Sequence, residues 1–287
     1  DEYRKLRAER LKGETKRKQA AAGLLISGLQ QRLLSSVDAF ARTLRVHRRT
    51  VQRQWEESQA GKPVQESRAI PLDLLGDGVN SDDDRATLPE GELQAEEKAQ
   101  IEAASRATMG TLAGDAARKL FAREQFLLEE MARIADAARG LPDARVRWLV
   151  DWIREHMCPG LPPLGMPHPV GQPSPWNDVR IVIFTEYDDT KRYLLQQLNA
   201  AIEGTEHAAG RIEVYHGPTP PAKREDIKRA FNEHPRKNPL RILIATDAAR
   251  EGINLQCHCW NLFHFDLPWN PSRMEQRNGR VDRHGQK

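Results

Sequence analysis

Cysteine is scarce here: three residues in 287, at Cys158, Cys257 and Cys259. An odd number without framework spacing excludes a disulfide scaffold and fits a reducing, intracellular compartment. The Cys257-His258-Cys259 triplet has no second pair to complete a zinc set, so no metal site is expected and incidental thiols are the simpler reading. Long apolar runs are missing too. No stretch reaches the roughly 18 residues needed to cross a bilayer, and no signal-peptide pattern opens the chain. Aromatics amount to 6% against 30% charged residues, the balance of a globular chain with much helix. Also lacking is G-x-x-x-x-G-K-[ST], whose backbone amides wrap a nucleotide's phosphates. Gly61-Lys62 runs into Pro63 and has no earlier glycine. No acidic pair follows an apolar strand, since Asp82–Asp84 lies in a polar stretch. The chain by itself thus lacks the usual means of holding ATP and magnesium.

What is present divides into two grammars, and the length suits two domains. The chain starts at Asp1 without a methionine, so a piece of a longer protein is expected. Residues 1–140 read as helices. Leu25, Leu29, Leu33, Val37, Phe40 and Leu44 recur at three- and four-residue steps, with a break near Ser35-Ser36 and Asp38 as the cap of the second piece. A second stripe runs through Leu120, Leu127, Met131 and Ile134. Between them, about residues 61–91 form an irregular acidic connection. The blocks Arg4–Lys18 and Arg42–Arg53 are basic: solvated faces on the plain reading, phosphate contacts on the sharper one.

Residues 141–287 read as α/β. Asp143 opens a helix with Val146, Leu149, Val150 and Ile153 on its apolar face, and the Pro- and Gly-rich residues 158–176 follow as a surface loop. Apolar runs at 179–187, 211–217, 240–247 and 260–268 then alternate with helical segments at 188–203, 220–233 and near 248–251. Unalternating, β-branched runs separated by helices predict a parallel sheet with helices on its faces. In such sheets functional loops lie beyond the carboxyl ends of the strands. Those ends carry Thr185-Glu186, His216-Gly217, Thr246-Asp247 and Asp266.

The last segment, MEQRNGRVDRHGQ (residues 274–286), follows Asn270 and Pro271, a cap and a first-turn residue. A helix running through Arg283 puts Gln276, Arg280 and Arg283 on one face. Guanidinium forks suit phosphate oxygens. The bland alternative is a solvated helix paired to Glu275 and Asp282.

Four segments together carry a resemblance: VIFTEYDDT, VYHGPTPPAKRED, ILIATDAAREGINLQ and FDLPWNPSRMEQRNGRVDRHGQ. Their order and spacing resemble the second RecA-like lobe of superfamily 2 helicases, more closely the Swi/Snf class of DNA translocases and its bacterial RapA-type branch. QRLLSSVDAFARTL resembles, less specifically, the helical element joining the lobes in that branch. The resemblance implies a motor that uses ATP and Mg2+ held mainly by a first lobe absent from this chain, so that the piece alone is inactive. Arg283 would be the arginine finger and Arg280 its partner; Gln276 would couple nucleotide state to lobe closure. Asp247, Glu251, Gly252 and Asn254 would line the lobe interface. Thr185, His216, Gly217 and Thr246 would follow a DNA strand, with Lys223 and Arg224 either supporting them or merely solvated. Trp269 would pack rather than stack on bases. Double-stranded DNA and the first lobe are the implied partners, and the location is cytoplasmic, at the nucleoid. The branch includes RNA-polymerase recycling factors and anti-phage defence ATPases, so subunits of a DNA-processing or defence complex join that group. A strand-separating DNA or RNA helicase and a non-catalytic binding scaffold are the alternatives.

Overall fold

The computed structural model describes residues 1–60, 88–108, 114–168, 171, 173–246, 255, 257–268 and 270–281. Most of the acidic connection, the segment near 248–251, Asp247, Glu251, Gly252, Asn254, Trp269 and Arg283 lie outside them. The described residues fall into two compact units, one before and one after the Arg139–Gly140 junction, apart from a short stretch ending at Leu88.

The first unit is helical: α1 (Glu2–Arg10), α2 (Lys16–Ser35), α3 (Val37–Gln59), α4 (Glu90–Ala107) and α5 (Gly114–Ala138). The break between α2 and α3 falls where expected, but Ser36 rather than Asp38 makes the cap. The Ser36 hydroxyl accepts from the Ala39 amide at 3.1 Å. Asp38 sits one turn-position later and pairs with Arg139 at 3.0 Å instead. Leu25, Leu29, Phe40 and Leu44 are buried as the stripe requires, whereas Leu33 is 46% exposed. In α5 the buried residues are Phe121, Glu124, Leu128 and Ala135; of the expected stripe Leu127 and Met131 pack against this core partly buried, and Ile134 faces solvent. Adjacent Leu127 and Leu128 made two registers possible on sequence. Phe121, whose ring stacks on Trp55 at 4.0 Å, fixes the one used.

Glu124 lies at the centre of this unit with no solvent exposure. Arg7 donates to it at 2.9 Å and Arg10 pairs with it from the other side. Nearby, the Ser105 hydroxyl donates its only hydrogen to the Ile101 carbonyl, so it accepts from His47 Nδ1 at 2.7 Å. His47 Nε2 is then the acceptor for the Tyr3 hydroxyl at 2.5 Å. A buried polar chain of this kind is stable because its members satisfy one another.

The second unit is a four-stranded parallel sheet in the order β2-β3-β1-β4, from β1 (Ile181–Thr185), β2 (Ile212–Tyr215), β3 (Ile242–Thr246) and β4 (Asn261–His264). The helices are α6 (Ala144–His156), α7 (Asp188–Ile202), α8 (Pro221–Asn232) and α9 (Pro271–Asn278). Alternation within each strand sorts the core into two layers. Ile181, Ile183, Ile242 and Ile244 pack on α6 and α7; Val182, Phe184, Leu243 and Ala245 pack on α8. The Asp143 carboxylate caps α6 by accepting from the Val146 amide at 2.8 Å. The Pro-rich loop after α6 is irregular but not wholly superficial: Cys158, Leu161 and Trp176 are buried in the first of these layers.

At the amino ends of the strands three buried arginines, Arg180, Arg211 and Arg241, donate to backbone carbonyls. Arg180 reaches the carbonyls of Ala230, Phe231 and Glu233, where α8 ends and its dipole is negative. The opposite, carboxyl edge of the sheet is thereby left to the polar residues.

Candidate nucleotide and nucleic-acid interface

The carboxyl edge is organised around Asp266, just beyond β4. Its Oδ2 accepts from the Thr185 hydroxyl at 2.6 Å and its Oδ1 from the Glu186 amide at 2.8 Å. Arg277, fully buried in α9, donates to the Asp266 carbonyl at 2.8 Å, lies 3.6 Å from its carboxylate and covers the Phe184 ring at 5.6 Å. One turn earlier Arg273 donates to Glu186 at 2.9 Å, with both side chains only 4% exposed. Arg273 and Arg277 are four apart, so one face of α9 is fastened to the ends of β1 and β4. Sequence reasoning missed both arginines. Their signal was the i, i+4 spacing opposite the acidic strand ends Glu186 and Asp266.

Asn270 caps α9, accepting from the Ser272 amide at 3.0 Å, and Pro271 occupies the first turn. The helix stops at Asn278 instead of running through Arg283. The amides of Arg280 and Val281 turn to the carbonyls of Arg277 and Asn278, a tightened i−3 pattern, and Val281 is buried against the α8 layer. Gly279 favours the stop, because glycine gives up most entropy in a continuing helix. Gln276 is therefore exposed on the helix, while Arg280 is half-buried in the turn after it. The Arg280 carbonyl accepts from the Leu255 amide at 3.3 Å. That bond brings the tail of ILIATDAAREGINLQ onto MEQRNGRVDRHGQ. Burial raises the pKa of the Tyr215 hydroxyl, and the charges of Arg224, Lys228 and Arg280 oppose the rise.

The remaining sequence-derived residues are largely committed within the protein. Thr185 and Thr246 pair across β1 and β3 and both are buried. The His216 amide donates to the Thr219 hydroxyl at 3.0 Å. Arg224 donates to the carbonyls of Thr219 and Gly217, so it holds the loop after β2. Lys223 lies 3.3 Å from Glu213 and stays exposed. Lys191 Nζ donates to His216 Nδ1 at 3.1 Å and pairs with Asp188. Burial raises the Asp188 carboxyl, but the neighbouring His216 ring, the charge and hydrogen bond of Lys191 and the charge of Arg192 outweigh it and hold the pKa well below the usual range. The amino end of α7 carries Asp188 and Asp189 in its first turn. Two carboxylates already complement the helix dipole there and repel a further anion.

Residues 176–285 match the family model described as the helicase conserved C-terminal domain. Among relatives, the uncharacterized ATP-dependent helicase YqhH of Bacillus subtilis (strain 168) is 40% identical over 112 residues, 38% of this chain and 17% of that protein. The RNA polymerase-associated protein RapA of Actinobacillus pleuropneumoniae serotype 5b is 28% identical over 145 residues, 50% of this chain and 12% of that protein. The chain thus corresponds to a small part of either relative. A crystal structure of the C-terminal part of the Fun30 ATPase domain aligns with a TM-score of 0.38 and 15% identity, over 88% of this chain and 79% of that one. That score is too low to support an argument about the arrangement. Among the described residues no helix is long and apolar enough to cross a membrane.

Proposed function

We propose that residues 141–287 are the second motor lobe of an ATP-dependent double-stranded DNA translocase, acting against a first lobe that holds ATP and Mg2+. The observation that carries this reading is the Leu255–Arg280 bond together with the fastening of α9 by Arg273 and Arg277. These contacts hold the turn bearing Arg280 against Leu255 and the ends of β1 and β4. A preorganised, permanently charged guanidinium is what a developing phosphoryl charge requires. The donor set fits an anionic phosphate. In this reading Arg280 and Arg283 face the γ-phosphate, and Gln276 relates nucleotide state to closure of the lobes. ATP supplies the transferable phosphoryl group; this chain's part is to neutralise charge and exclude water.

Strand contact falls to the rim that carries exposed Lys223 and partly exposed His216, with Gly217 buried just behind them. Thr185, Thr246 and Arg224 shape that rim from beneath. Such contacts read backbone phosphates, so affinity should fall with salt and depend little on base sequence.

The test is Arg283→Ala and Arg280→Ala in the complete protein. DNA-stimulated ATP hydrolysis should fall by about a thousandfold or more for a lost finger, with DNA affinity nearly unchanged. Retained turnover in both variants overturns the assignment. The name of the YqhH relative favours strand separation as the second reading. Unwinding of a forked duplex by the complete protein would support it, and displacement of a triplex strand without unwinding supports translocation. Association with RNA polymerase, printed for RapA, is a candidate partnership to be tested by co-purification.

A further inference from the structure

The two basic blocks of the helical unit differ in how their charges are used. In α3, Arg45 pairs with Asp136, Arg48 with Glu129 and Arg53 with Glu102. That block is neutralised by its neighbours on α4 and α5. Around α1 and α2, Arg7 and Arg10 share Glu124 and Lys18 is matched by Glu14, but none of the described carboxylates pairs with Arg4, Lys5, Lys12, Lys16 or Arg17.

Three cations, Arg4, Arg7 and Lys12, line a cleft of about 270 Å³ between α1 and α2, and no carboxylate lines it. Arg7 is 1% exposed, and its Nε is buried without a hydrogen-bond partner, although its Nη atoms bond Glu124 and Thr108. A buried guanidinium with an unused donor beside two exposed cations is an unbalanced site. The cleft also depends on Gly23, which lines it from the interior of α2. A Cβ there would meet nothing within 4 Å. Glycine weakens a helix interior relative to any ordinary residue.

We propose that the α1–α2 cleft seats a phosphate of a nucleic-acid backbone, with Arg4 and Lys12 at its rim and Arg7 beneath. This gives the helical unit a strand contact of its own. The proposal rests on the reading that the protein works on nucleic acid, but not on ATP hydrolysis.

The test uses the whole chain, residues 1–287, and a labelled duplex of about 20 base pairs with salt varied. Arg4→Ala combined with Lys12→Ala should weaken binding about tenfold at moderate salt and lower the slope of log affinity against log salt by about two. Gly23→Leu places a bulky apolar side chain on the cleft wall, where a Cβ meets nothing within 4 Å, so it should weaken binding to a similar degree while raising the thermal midpoint through a better helix former. Unchanged affinity and slope in a folded Gly23→Leu protein overturns the proposal. Inorganic phosphate is the second arm. A thermal shift with phosphate that Gly23→Leu abolishes, with duplex affinity equal in all three proteins, would mark a free-anion site and overturn the nucleic-acid assignment. Because the readout is binding without ATP, failure of the Arg283 test leaves this one intact.

Discussion

Thr185 and Asp266 lie 81 positions apart, and the threonine hydroxyl donates to the aspartate at 2.6 Å in the buried carboxyl edge of the sheet. The same carboxylate receives the Glu186 amide and faces Arg277. The two partners are therefore unequal. Thr185→Val keeps the side-chain shape and removes one donor, while Asp266 retains its other partners; the expected loss is about 1 kcal/mol. Asp266→Ala leaves a hydroxyl and an amide without their acceptor and a buried guanidinium without its carboxylate, though the backbone carbonyl still accepts from Arg277, and about 3–5 kcal/mol is expected. Urea unfolding of the sheet unit checks this; equal small effects would show that Asp266 is not the hub.

The arginines of α9 and the turn after it should sort into two groups by measurement. Arg277 is buried and bonded to Asp266. Arg277→Ala is expected to destabilise the sheet unit by about 3 kcal/mol, and Arg277→Lys should recover only part of it, since an ammonium cannot reproduce the planar contact with Phe184. Arg280 is half-buried in the turn. Arg280→Ala should cost about 1 kcal/mol or less in unfolding and yet remove ATP hydrolysis in the complete protein. A large unfolding defect in Arg280→Ala would place it with Arg277 as a structural residue.

At the α2–α3 junction, Ser36 and Asp38 offer a cleaner contrast. Ser36→Ala should lower the stability of the helical unit by about 1 kcal/mol, the usual value of an N-cap. Asp38→Ala removes an ion pair whose Arg139 side is 45% exposed, and about 0.5 kcal/mol or less is expected. Thermal unfolding followed at the helix band decides between the two caps.

These contrasts show where sequence was legible. The strands, their parallel sense and α6 to α8 could be read because β-branched runs and helical spacing are local signals. The end of α9 could not, because it depends on Val281 finding the α8 layer and on Leu255 finding the Arg280 carbonyl. Leu33 and Ile134 fitted their stripes and still face solvent, since a stripe does not say how wide the neighbouring helix is. The strand-end threonines are assigned to a DNA strand through the family resemblance, which carries no information on their local partners. Asp266, remote in sequence, is what turns Thr185 inward.

Acid should weaken the two units in different pH windows. His47 is fully buried beside Tyr3 and Ser105, and burial, with the Arg7 charge adding to it, pushes its pKa down to about 3 from 6.5. The unfolded chain therefore takes up a proton near pH 6.5 that the folded unit refuses until about pH 3. Its contribution is complete above the unfolded pKa and declines by about 1.4 kcal/mol per pH unit as pH falls between those values. Asp188, in the sheet unit, is also depressed, but from the ordinary carboxylate value of 3.8, so its contribution is lost only below that pH. Going from pH 7 to 5 should thus cost the helical unit about 2 kcal/mol and leave the Asp188 contribution intact. Hydrogen exchange, corrected for the intrinsic chemical rates, should show faster opening in peptides from α3 than from α7 at pH 5. His47→Gln should flatten the pH dependence of the helical unit; an unchanged slope in that variant would show that another group titrates there.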